Sequence, residues 1–179
     1  NQLVVDFGLC KDRIVVVKNG LSHQFLTRPS SSIPFRDRPI DFLYVATFEA
    51  RKNHLNLIKS FALLCKEKPR NLMLVGRDKG SLSEVCLLIK KYSLEKYVTI
   101  IDSVGCESEL VEMYDNSKVY VCPSLFEGFG MPLLEAISRD CEIACSTLDV
   151  FKEICGDQAE YFDPEDIHSI ARGMALALS

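Results

Sequence analysis

Residues 41–75 read DFLYVATFEARKNHLNLIKSFALLCKEKPRNLMLV, and the fold class is predicted from this segment. It predicts a buried strand over 41–47, followed by a helix over 54–68 in which apolar residues recur at helical spacing. Pro69 ends that helix, and a second strand follows over 71–75. A strand, a helix and a strand in direct succession are typical of a parallel β-α-β unit.

The same alternation continues to the end of the chain. Further strands are predicted over 98–101, 119–122, 142–145 and 160–162, and further helices over 81–92, 108–116, 132–138, 151–155 and 164–178. Apolar runs without strict alternation indicate strands covered on both faces. The predicted fold class is therefore α/β, with a Rossmann-like, doubly wound parallel sheet. Ligands of such sheets bind beyond the carboxyl ends of the strands.

The first 39 residues have a different character. Residues 14–17, IVVV, predict a strand, and residues 27–39 are rich in Ser, Pro and Arg, as linkers are. We interpret residues 1–39 as the tail of a preceding domain plus a linker, and residues 40–179 as one domain. A strand that belongs to a preceding domain should pack irregularly here. We expect the chain, which begins at Asn1, to be part of a longer protein.

Composition excludes several classes of protein. The net charge is −4, and no basic stripe is present, so we expect no nucleic-acid partner. No apolar run approaches the roughly 18 residues that a membrane span needs. The eight cysteines include no C-x-x-C pair, and Cys65, Cys86, Cys122 and Cys145 lie in apolar runs. We expect buried, reduced thiols in a cytoplasmic protein, with a metal site or disulfides as the alternatives.

Residues 123–136, PSLFEGFGMPLLEA, join a strand end to a helix start. Gly128 and Gly130 allow the backbone to approach a ligand closely. Free N–H groups at 131–133, beside Pro132, would face the ligand with the helix dipole behind them. This arrangement predicts an anion site that suits a phosphate.

Two carboxylates lie eight positions apart in this segment. Glu127 precedes the glycines, and Glu135 follows in the first turn of the helix, so both could project into one cleft. A carboxylate can accept two hydrogen bonds from neighbouring sugar hydroxyls. The alternative is a glycine-rich turn with a helix-stabilising glutamate.

Three other loops follow predicted strands at the same edge of the sheet. Residues 49–53, EARKN, carry Arg51 and Lys52, which could neutralise a diphosphate or simply begin a solvated helix. Residues 76–78 (GRD) and 102–105 (DSVG) could frame a base or a sugar, or could be ordinary turns.

Together these segments resemble the C-terminal domain of the family 4 glycosyltransferases, which have the GT-B architecture. The resemblance covers about residues 41–178 and includes VTIIDSVGCESELVEMY at 98–114 and ICGDQAEYFDPEDI at 154–167. Residues 12–25 resemble the last strand of the family's N-terminal domain and its exit. The most specific element is the pair of glutamates around EGFG.

The resemblance implies roles for individual residues. Glu127 would contact hydroxyls of the transferred sugar, Glu135 would hold the ribose hydroxyls, and Lys52 would bind the diphosphate. Backbone N–H groups of Phe129, Gly130 and Met131 would serve the sugar and phosphates. The remaining donor-binding candidates are Thr47, Arg51, Gly76, Arg77, Val104, Gly128, Pro132 and Leu133.

The function implied is retaining transfer from a nucleoside-diphosphate sugar to a hydroxyl of a glycan or lipid-linked glycan. No cofactor or obligatory metal is expected. The acceptor would bind through an N-terminal domain that is missing here, so this chain alone should bind nucleotide weakly and transfer nothing. The expected location is cytoplasmic, with possible peripheral contact at the inner membrane face. A nucleotide-sugar epimerase or hydrolase and a non-catalytic nucleotide-binding module stay open as alternatives.

Two departures from the family pattern stand out. The family often has Gly-Arg where this chain has Ala46-Thr47, so Arg51 either replaces that arginine or nothing does. After the motif helix the family usually has Gly and Pro, whereas residues 138–142 are SRDCE. We expect an altered turn there, away from the site.

Overall fold

The computed structural model describes residues 2–15, 17, 19–27 and 32–179 and contains one six-stranded parallel sheet. The strands are β1 Ile40–Val45, β2 Leu72–Val75, β3 Val98–Ile101, β4 Ser117–Cys122, β5 Glu142–Ser146 and β6 Ala159–Phe162. Their spatial order is β3-β2-β1-β4-β5-β6, and every neighbouring pair is parallel.

Helices cover both faces of this sheet. They are α1 Gln2–Phe7, α2 His23–Thr27, α3 His54–Glu67, α4 Leu82–Lys91, α5 Glu107–Asp115, α6 Met131–Ser138, α7 Asp149–Cys155 and α8 Ile167–Ala177. Helix α3 packs against α4 and α8, whereas α2 packs against α5 and α6, and α6 against α7. Helices on both faces explain why β1 and β4 are buried along nearly their whole length. The predicted doubly wound α/β class is confirmed.

The strand order reverses between β1 and β4. The chain winds from β1 outward to β3, then crosses back to β4 and winds outward to β6. Such a switch point leaves a crevice beyond the carboxyl ends of the two central strands, because their following loops leave in opposite directions. The loops after β1 and β4 are the two segments in which the sequence predicts a ligand site.

The amino-terminal segment does not join the sheet. Ile14, Val15 and Val17 lie outside the sheet, and the side chains of Val15 and Val17 are more than four-fifths exposed. Val16 lies outside the described residues. The described residues of this segment therefore pair with no strand and are irregular, as expected here for a strand of a preceding domain, and their assignment to such a domain stays a prediction. Helices α1 and α2 were not predicted.

Two residues before position 40 are packed into the sheet domain. Phe25 of α2 is buried with its ring centroid 5.7 Å from that of Tyr114. Arg38 is buried, and its Nη1 donates hydrogen bonds of 2.9 Å to the carbonyls of Ser117 and Asp140. Residues 28–31 of the predicted linker lie outside the described residues. The linker is thus anchored at its end, and the boundary between residues 39 and 40 stays a prediction.

The turn between α6 and β5 contains an aspartate in a left-handed conformation. Asp140 has a φ of 53°, in the left-handed region that glycine adopts without strain. Beside it, Arg139 is almost fully buried and its Nε lies 2.6 Å from Oδ1 of Asp115. The altered turn is therefore held by a buried ion pair on the side of the sheet away from the crevice.

The thiols are free, but not all of them are buried. Cys122, Cys141, Cys145 and Cys155 are buried, as expected for an apolar context. Cys86 is exposed, which contradicts the expectation for that residue, because it lies on the solvent side of α4. In the part of the chain that the structure describes, no helix has the length and apolar character of a membrane span.

Candidate functional site

The two basic residues after β1 and the first motif glutamate meet at the switch point. A turn of 3-10 helix over Ala50–Lys52 follows β1, and it brings the Nζ of Lys52 to 2.5 Å from Oε1 of Glu127. Arg51 reaches Oε2 of the same carboxylate at 3.3 Å. The side chains of Lys52 and Glu127 are each 12% exposed. The loops after β1 and β4 are therefore joined by a largely buried ion pair.

Arg51 also links Glu127 to a second carboxylate. Its Nη2 lies 2.8 Å from Oε1 of Glu49, which also accepts a 2.7 Å hydrogen bond from the hydroxyl of Thr47. The Thr47 hydroxyl and the charge of Arg51 keep the pKa of Glu49 below its ordinary value. The charges of Arg51 and Lys52 are thus balanced by the carboxylates of Glu49 and Glu127.

Buried aromatic and hydroxyl groups support the 3-10 turn from the interior of the domain. The Tyr44 hydroxyl donates to the carbonyl of Lys52 at 2.8 Å and lies 3.0 Å from Oγ of Ser124. Ser124 in turn donates to Oε1 of Glu127 at 2.9 Å. The ring of His54 stacks on Phe48, with centroids 4.5 Å apart. These contacts hold Lys52 and Glu127 in place.

Asn53 fastens the turn to two other loops. It has a φ of 59°, and its Nδ2 donates to the carbonyl of Pro123 at 3.0 Å and to that of Pro164 at 2.8 Å. The left-handed backbone at this position lets the chain pass from the 3-10 turn into α3.

The amino terminus of α6 lies at the same edge of the sheet. Gly130 caps the helix with a φ of 94°, and Pro132 stands in the first turn. The expectation of a free N–H at Leu133 is wrong, since that group donates to the carbonyl of Gly130 at 3.0 Å. Because proline has no N–H, the donors at this terminus come from Met131 and the preceding glycine-rich loop.

Gly76 is required by a close approach of two backbones. A Cβ at this position would lie 2.0 Å from the carbonyl oxygen of Ala46, and the φ of Gly76 is 153°. The N–H of Ala46 donates to the carbonyl of Val75, so the ends of β1 and β2 are held together at this point. Gly76 thus allows the ends of β1 and β2 to approach each other closely at the floor of the crevice, beside Thr47.

A cleft of about 440 Å³ opens over these elements. Seven of the predicted residues line it: Thr47, Arg51, Lys52, Gly76, Arg77, Val104 and Pro132. Glu127 lies at its edge, joined to it through Lys52. The structure therefore brings together residues from four loops that are far apart in the sequence.

Glu135 departs from the predicted arrangement. It lies one turn further along α6 than Pro132, outside the lining of the cleft, and its Oε2 accepts a 2.8 Å hydrogen bond from the hydroxyl of Tyr114 on α5. Burial raises the pKa of Glu135, and the nearby charge of Glu107 acts in the same direction. The two motif carboxylates thus occupy different environments and do not share one wall.

The described residues contain no group of His, Cys, Asp and Glu side chains that could hold a metal ion. A second, larger cavity of about 900 Å³ lies at the opposite edge of the sheet, lined in part by Arg36, Glu142 and Asp157. It contains none of the predicted site residues and lies at the amino ends of β5 and β6, where ligands of doubly wound sheets do not bind.

A family model described as "Glycosyl transferases group 1" matches residues 28–179, which is most of the chain. The chain belongs to this family.

Two curated relatives are mannosyltransferases of Escherichia coli. The chain is 28% identical to O-antigen chain mannosyltransferase B over 186 aligned positions, which cover 99% of this chain and 49% of that protein. It is 33% identical to serotype-specific mannosyltransferase WbdA over 135 positions, covering 74% of this chain and 16% of that protein. The chain therefore spans half or less of the length of these relatives.

A solved glycosyltransferase from Rickettsia africae ESF-5 has the same fold. It superimposes with a TM-score of 0.82 over 98% of this chain and 50% of the other, at 15% identity. At this level of identity the comparison supports the architecture alone, and it agrees with the predicted GT-B class.

Several residues that support the site are not predicted from the sequence. Tyr44 and Ser124 support the ion pair, and Tyr114 binds Glu135. Asp102 and Ser103 belong to the 102–105 loop that the sequence offers as a frame for a base or a sugar, and they line the cleft. Tyr44 lies inside a buried strand, where the apolar pattern predicts core packing and does not indicate that its hydroxyl supports the site. No sequence pattern indicates the role of Tyr114, because its partner Glu135 lies 21 positions away on another helix.

Proposed function

We propose that this chain is the donor-binding, C-terminal domain of a retaining family 4 glycosyltransferase. The observation that carries the proposal is the Lys52–Glu127 pair at the mouth of a cleft that also meets the amino terminus of α6. A family that transfers sugars needs one place for a diphosphate and, beside it, one for a sugar. The pair offers a cation for the first and a carboxylate for the second.

Lys52 and the start of α6 are the proposed diphosphate site. An ammonium has three N–H donors, so Lys52 can keep its contact with Glu127 and still bind a phosphate oxygen. The partial positive charge at the helix terminus and the free N–H groups before Pro132 add to the attraction. The side chain of Arg51 is 43% exposed, so it can leave Glu49 and bind the second phosphate. In that position Arg51 would substitute for the arginine that the family often has where this chain has Thr47.

Glu127 is proposed to hold hydroxyls of the transferred sugar. Its carboxylate is fixed by Lys52, Arg51 and Ser124, so it is oriented before the sugar binds. Glu135 is proposed to hold the ribose hydroxyls. Only one of its oxygens is engaged by a described side chain, which leaves the other as an acceptor.

The proposed reaction breaks the bond between the sugar and the diphosphate and forms a bond to an acceptor hydroxyl with retention of configuration. The developing charge on the leaving diphosphate would be stabilised by Lys52 and by the α6 terminus, without an obligatory metal. An oxocarbenium-like transition state is expected, by analogy with other glycosyl transfers.

The two E. coli relatives named above are mannosyltransferases, and one is named for the O-antigen chain. We therefore propose a mannosyl donor and a glycan or lipid-linked glycan acceptor in polysaccharide biosynthesis, at the cytoplasmic face of the membrane. The acceptor surface would come from a second domain. The alignment with O-antigen chain mannosyltransferase B covers 99% of this chain but only 49% of that relative. The isolated chain should then bind nucleotide weakly and show no transfer.

Product analysis tests this proposal. The longest natural polypeptide that contains this sequence would be supplied with a nucleoside-diphosphate mannose, with and without a mannan acceptor, and the products analysed by NMR. We expect an α-linked mannosyl product only when acceptor is present, and loss of that product in Glu127→Ala. Free mannose or an isomerised donor without acceptor would point to a hydrolase or an epimerase. Unchanged complementation by Glu127→Ala in cells would point to a non-catalytic module.

A further inference from the structure

We propose that Glu49 competes with the diphosphate for Arg51 and thereby speeds the release of the nucleoside diphosphate product. This inference rests on the proposed function, because it concerns a step of the same transfer reaction. It goes further by assigning product release to a carboxylate that has no part in the proposed donor binding. Glu49 acts through Arg51 and is therefore a positioning residue.

Of the two cations that line the cleft, Arg51 is the more exposed. Its side chain is 43% exposed, whereas that of Lys52 is 12% exposed and is fastened to Glu127. The Nη2 of Arg51 lies 2.8 Å from Oε1 of Glu49, and its Nη1 lies 3.3 Å from Oε2 of Glu127. The shorter contact is the one with Glu49. A phosphate that binds the guanidinium through both of these nitrogens therefore competes with this carboxylate.

Glu49 is held in a position from which it can pair with Arg51 again. The hydroxyl of Thr47 donates a 2.7 Å hydrogen bond to Oε1 of Glu49, which is the oxygen that contacts Arg51. This hydrogen bond and the charge of Arg51 lower the pKa of Glu49, so the carboxylate is ionised at neutral pH. Glu49 itself lies outside the lining of the cleft. Its contact with the proposed diphosphate site is thus made by way of Arg51.

The product of the proposed transfer is more anionic than the donor. When the bond between the sugar and the diphosphate breaks, its electron pair stays on the terminal phosphate oxygen, so the free diphosphate carries more negative charge than the sugar-linked one. Cations that bind the donor then attract the product more strongly. Product release limits the turnover of many enzymes. A carboxylate that competes for one of these cations favours the departure of the product.

A conservative substitution separates this role from simple support of the turn. Glu49→Gln leaves Arg51 and Lys52 facing a single carboxylate, that of Glu127. The amide oxygen of glutamine can still accept the hydrogen bond of Thr47, so the local structure is retained. Loss of a competing anion should strengthen nucleotide binding. Loss of a merely structural contact would leave Arg51 misplaced and weaken it.

Nucleotide affinity and release rate together test the inference. Calorimetry would give the affinities of the 179-residue chain for GDP and UDP, and line-shape analysis of the phosphorus NMR signals would give the dissociation rates. The variants are Glu49→Gln, Arg51→Ala and the double variant, with Glu84→Gln as the control. Glu84 is an exposed carboxylate on α4 outside the cleft lining. Thermal denaturation would confirm that each variant is folded.

We expect Glu49→Gln to bind the nucleotide about fivefold more tightly than wild type, which is the effect of a partly exposed ion pair. Slower dissociation should account for this gain. In the Arg51→Ala background the same substitution should change the affinity by about twofold or less, because the competition requires the guanidinium. Glu84→Gln should bind as wild type does.

Unchanged or weaker binding by Glu49→Gln would overturn the inference and leave the proposed function standing. An equal gain with and without Arg51 would also overturn it, since the effect would then be direct repulsion between Glu49 and the diphosphate. Failure of wild type to bind either nucleotide would contradict the proposed function itself.

Discussion

The Nζ of Lys52 and the Oε1 of Glu127 are 2.5 Å apart, although 75 positions separate these residues in the sequence. The contact joins the loops after the two central strands, where the sheet reverses its order. Because both side chains are largely buried, each charge depends on the other for its stability. The ion pair therefore holds together the two loops that we propose bind the donor.

Removing the lysine should weaken nucleotide binding strongly. In Lys52→Ala the diphosphate loses one charged hydrogen-bond donor, so we expect the affinity for a nucleoside diphosphate to fall by about 10- to 100-fold. Lys91→Ala, at an exposed position at the end of α4, is the matched control and should bind as wild type does. Calorimetric titration measures the difference. Equal affinities in Lys52→Ala and wild type would remove Lys52 from the diphosphate site.

Gly76→Ala adds only one methyl group, but it should disturb the floor of the crevice. The added Cβ would lie 2.0 Å from the Ala46 carbonyl oxygen, so the ends of β1 and β2 must separate. We expect a loss of about 2 kcal/mol or more in the free energy of unfolding, together with at least tenfold weaker nucleotide binding. Gly20→Ala has open space around its Cβ and serves as the control in urea denaturation. A neutral effect of Gly76→Ala would show that the loop can relax at no cost.

Asn53 allows backbone and side-chain effects to be separated. Asn53→Ala loses two hydrogen bonds and places a less tolerant residue in the left-handed region, for an expected destabilisation of about 2–4 kcal/mol. Asn53→Gly loses the same hydrogen bonds but relieves the backbone, so it should be destabilised by about 1–2 kcal/mol less. Urea denaturation of both variants gives the comparison. Identical values would mean that the backbone conformation contributes nothing.

His54 should make stability depend on pH. Burial lowers the pKa of His54 to about 4, and the charge of Lys52 acts in the same direction. The unfolded chain takes up a proton near its ordinary pKa of 6.5, whereas the folded chain resists protonation, so stability should fall by about 3 kcal/mol as the pH drops from 6.5 to 4.

His54→Phe keeps a ring between Phe48 and Tyr44 but cannot be protonated. We expect this variant to lose most of the pH dependence between 6.5 and 4 in urea denaturation. His168→Gln, at an exposed position, should retain it. An identical slope in His54→Phe and wild type would contradict the assignment to His54.

The ionised form of Glu135 should lower the stability of the folded chain, although we propose that it helps to bind the donor. Burial raises its pKa, so the ionised form is disfavoured in the folded state, and the cost appears as the pH rises above the ordinary value of 4.5. Glu135→Gln should therefore melt at a higher temperature than wild type at pH 7, with the difference shrinking towards pH 4. It should also bind nucleoside diphosphates less tightly than wild type, because a neutral amide accepts hydrogen bonds from ribose hydroxyls more weakly. A variant that is less stable at pH 7 would argue that the Tyr114 contact outweighs the burial cost.

The sequence predicts the parts of this molecule that depend on local periodicity. All six strands and the six helices from α3 to α8 are predicted to within a few residues, because buried apolar runs and amphipathic spacing are local signals. The proximity of Arg51, Lys52 and Glu127 also follows from the sequence, since carboxyl ends of parallel strands share an edge.

The rest depended on contacts that no local pattern encodes. Glu135 turns towards Tyr114 because α5 packs beside α6, and a sequence does not state which helices are neighbours. The N–H of Leu133 is used internally because Gly130 takes a left-handed conformation that tightens the first turn. Helix α2 formed where no periodicity was long enough to predict it, and Phe25 holds it in place.

A crystal structure of this chain with GDP would locate the diphosphate. We predict it within hydrogen-bonding distance of the Nζ of Lys52 and of the N–H groups that precede Pro132, in the cleft at the carboxyl ends of β1 and β4. A nucleotide bound instead in the cavity beside Arg36 and Glu142, or in the cleft with its diphosphate remote from Lys52, would contradict it.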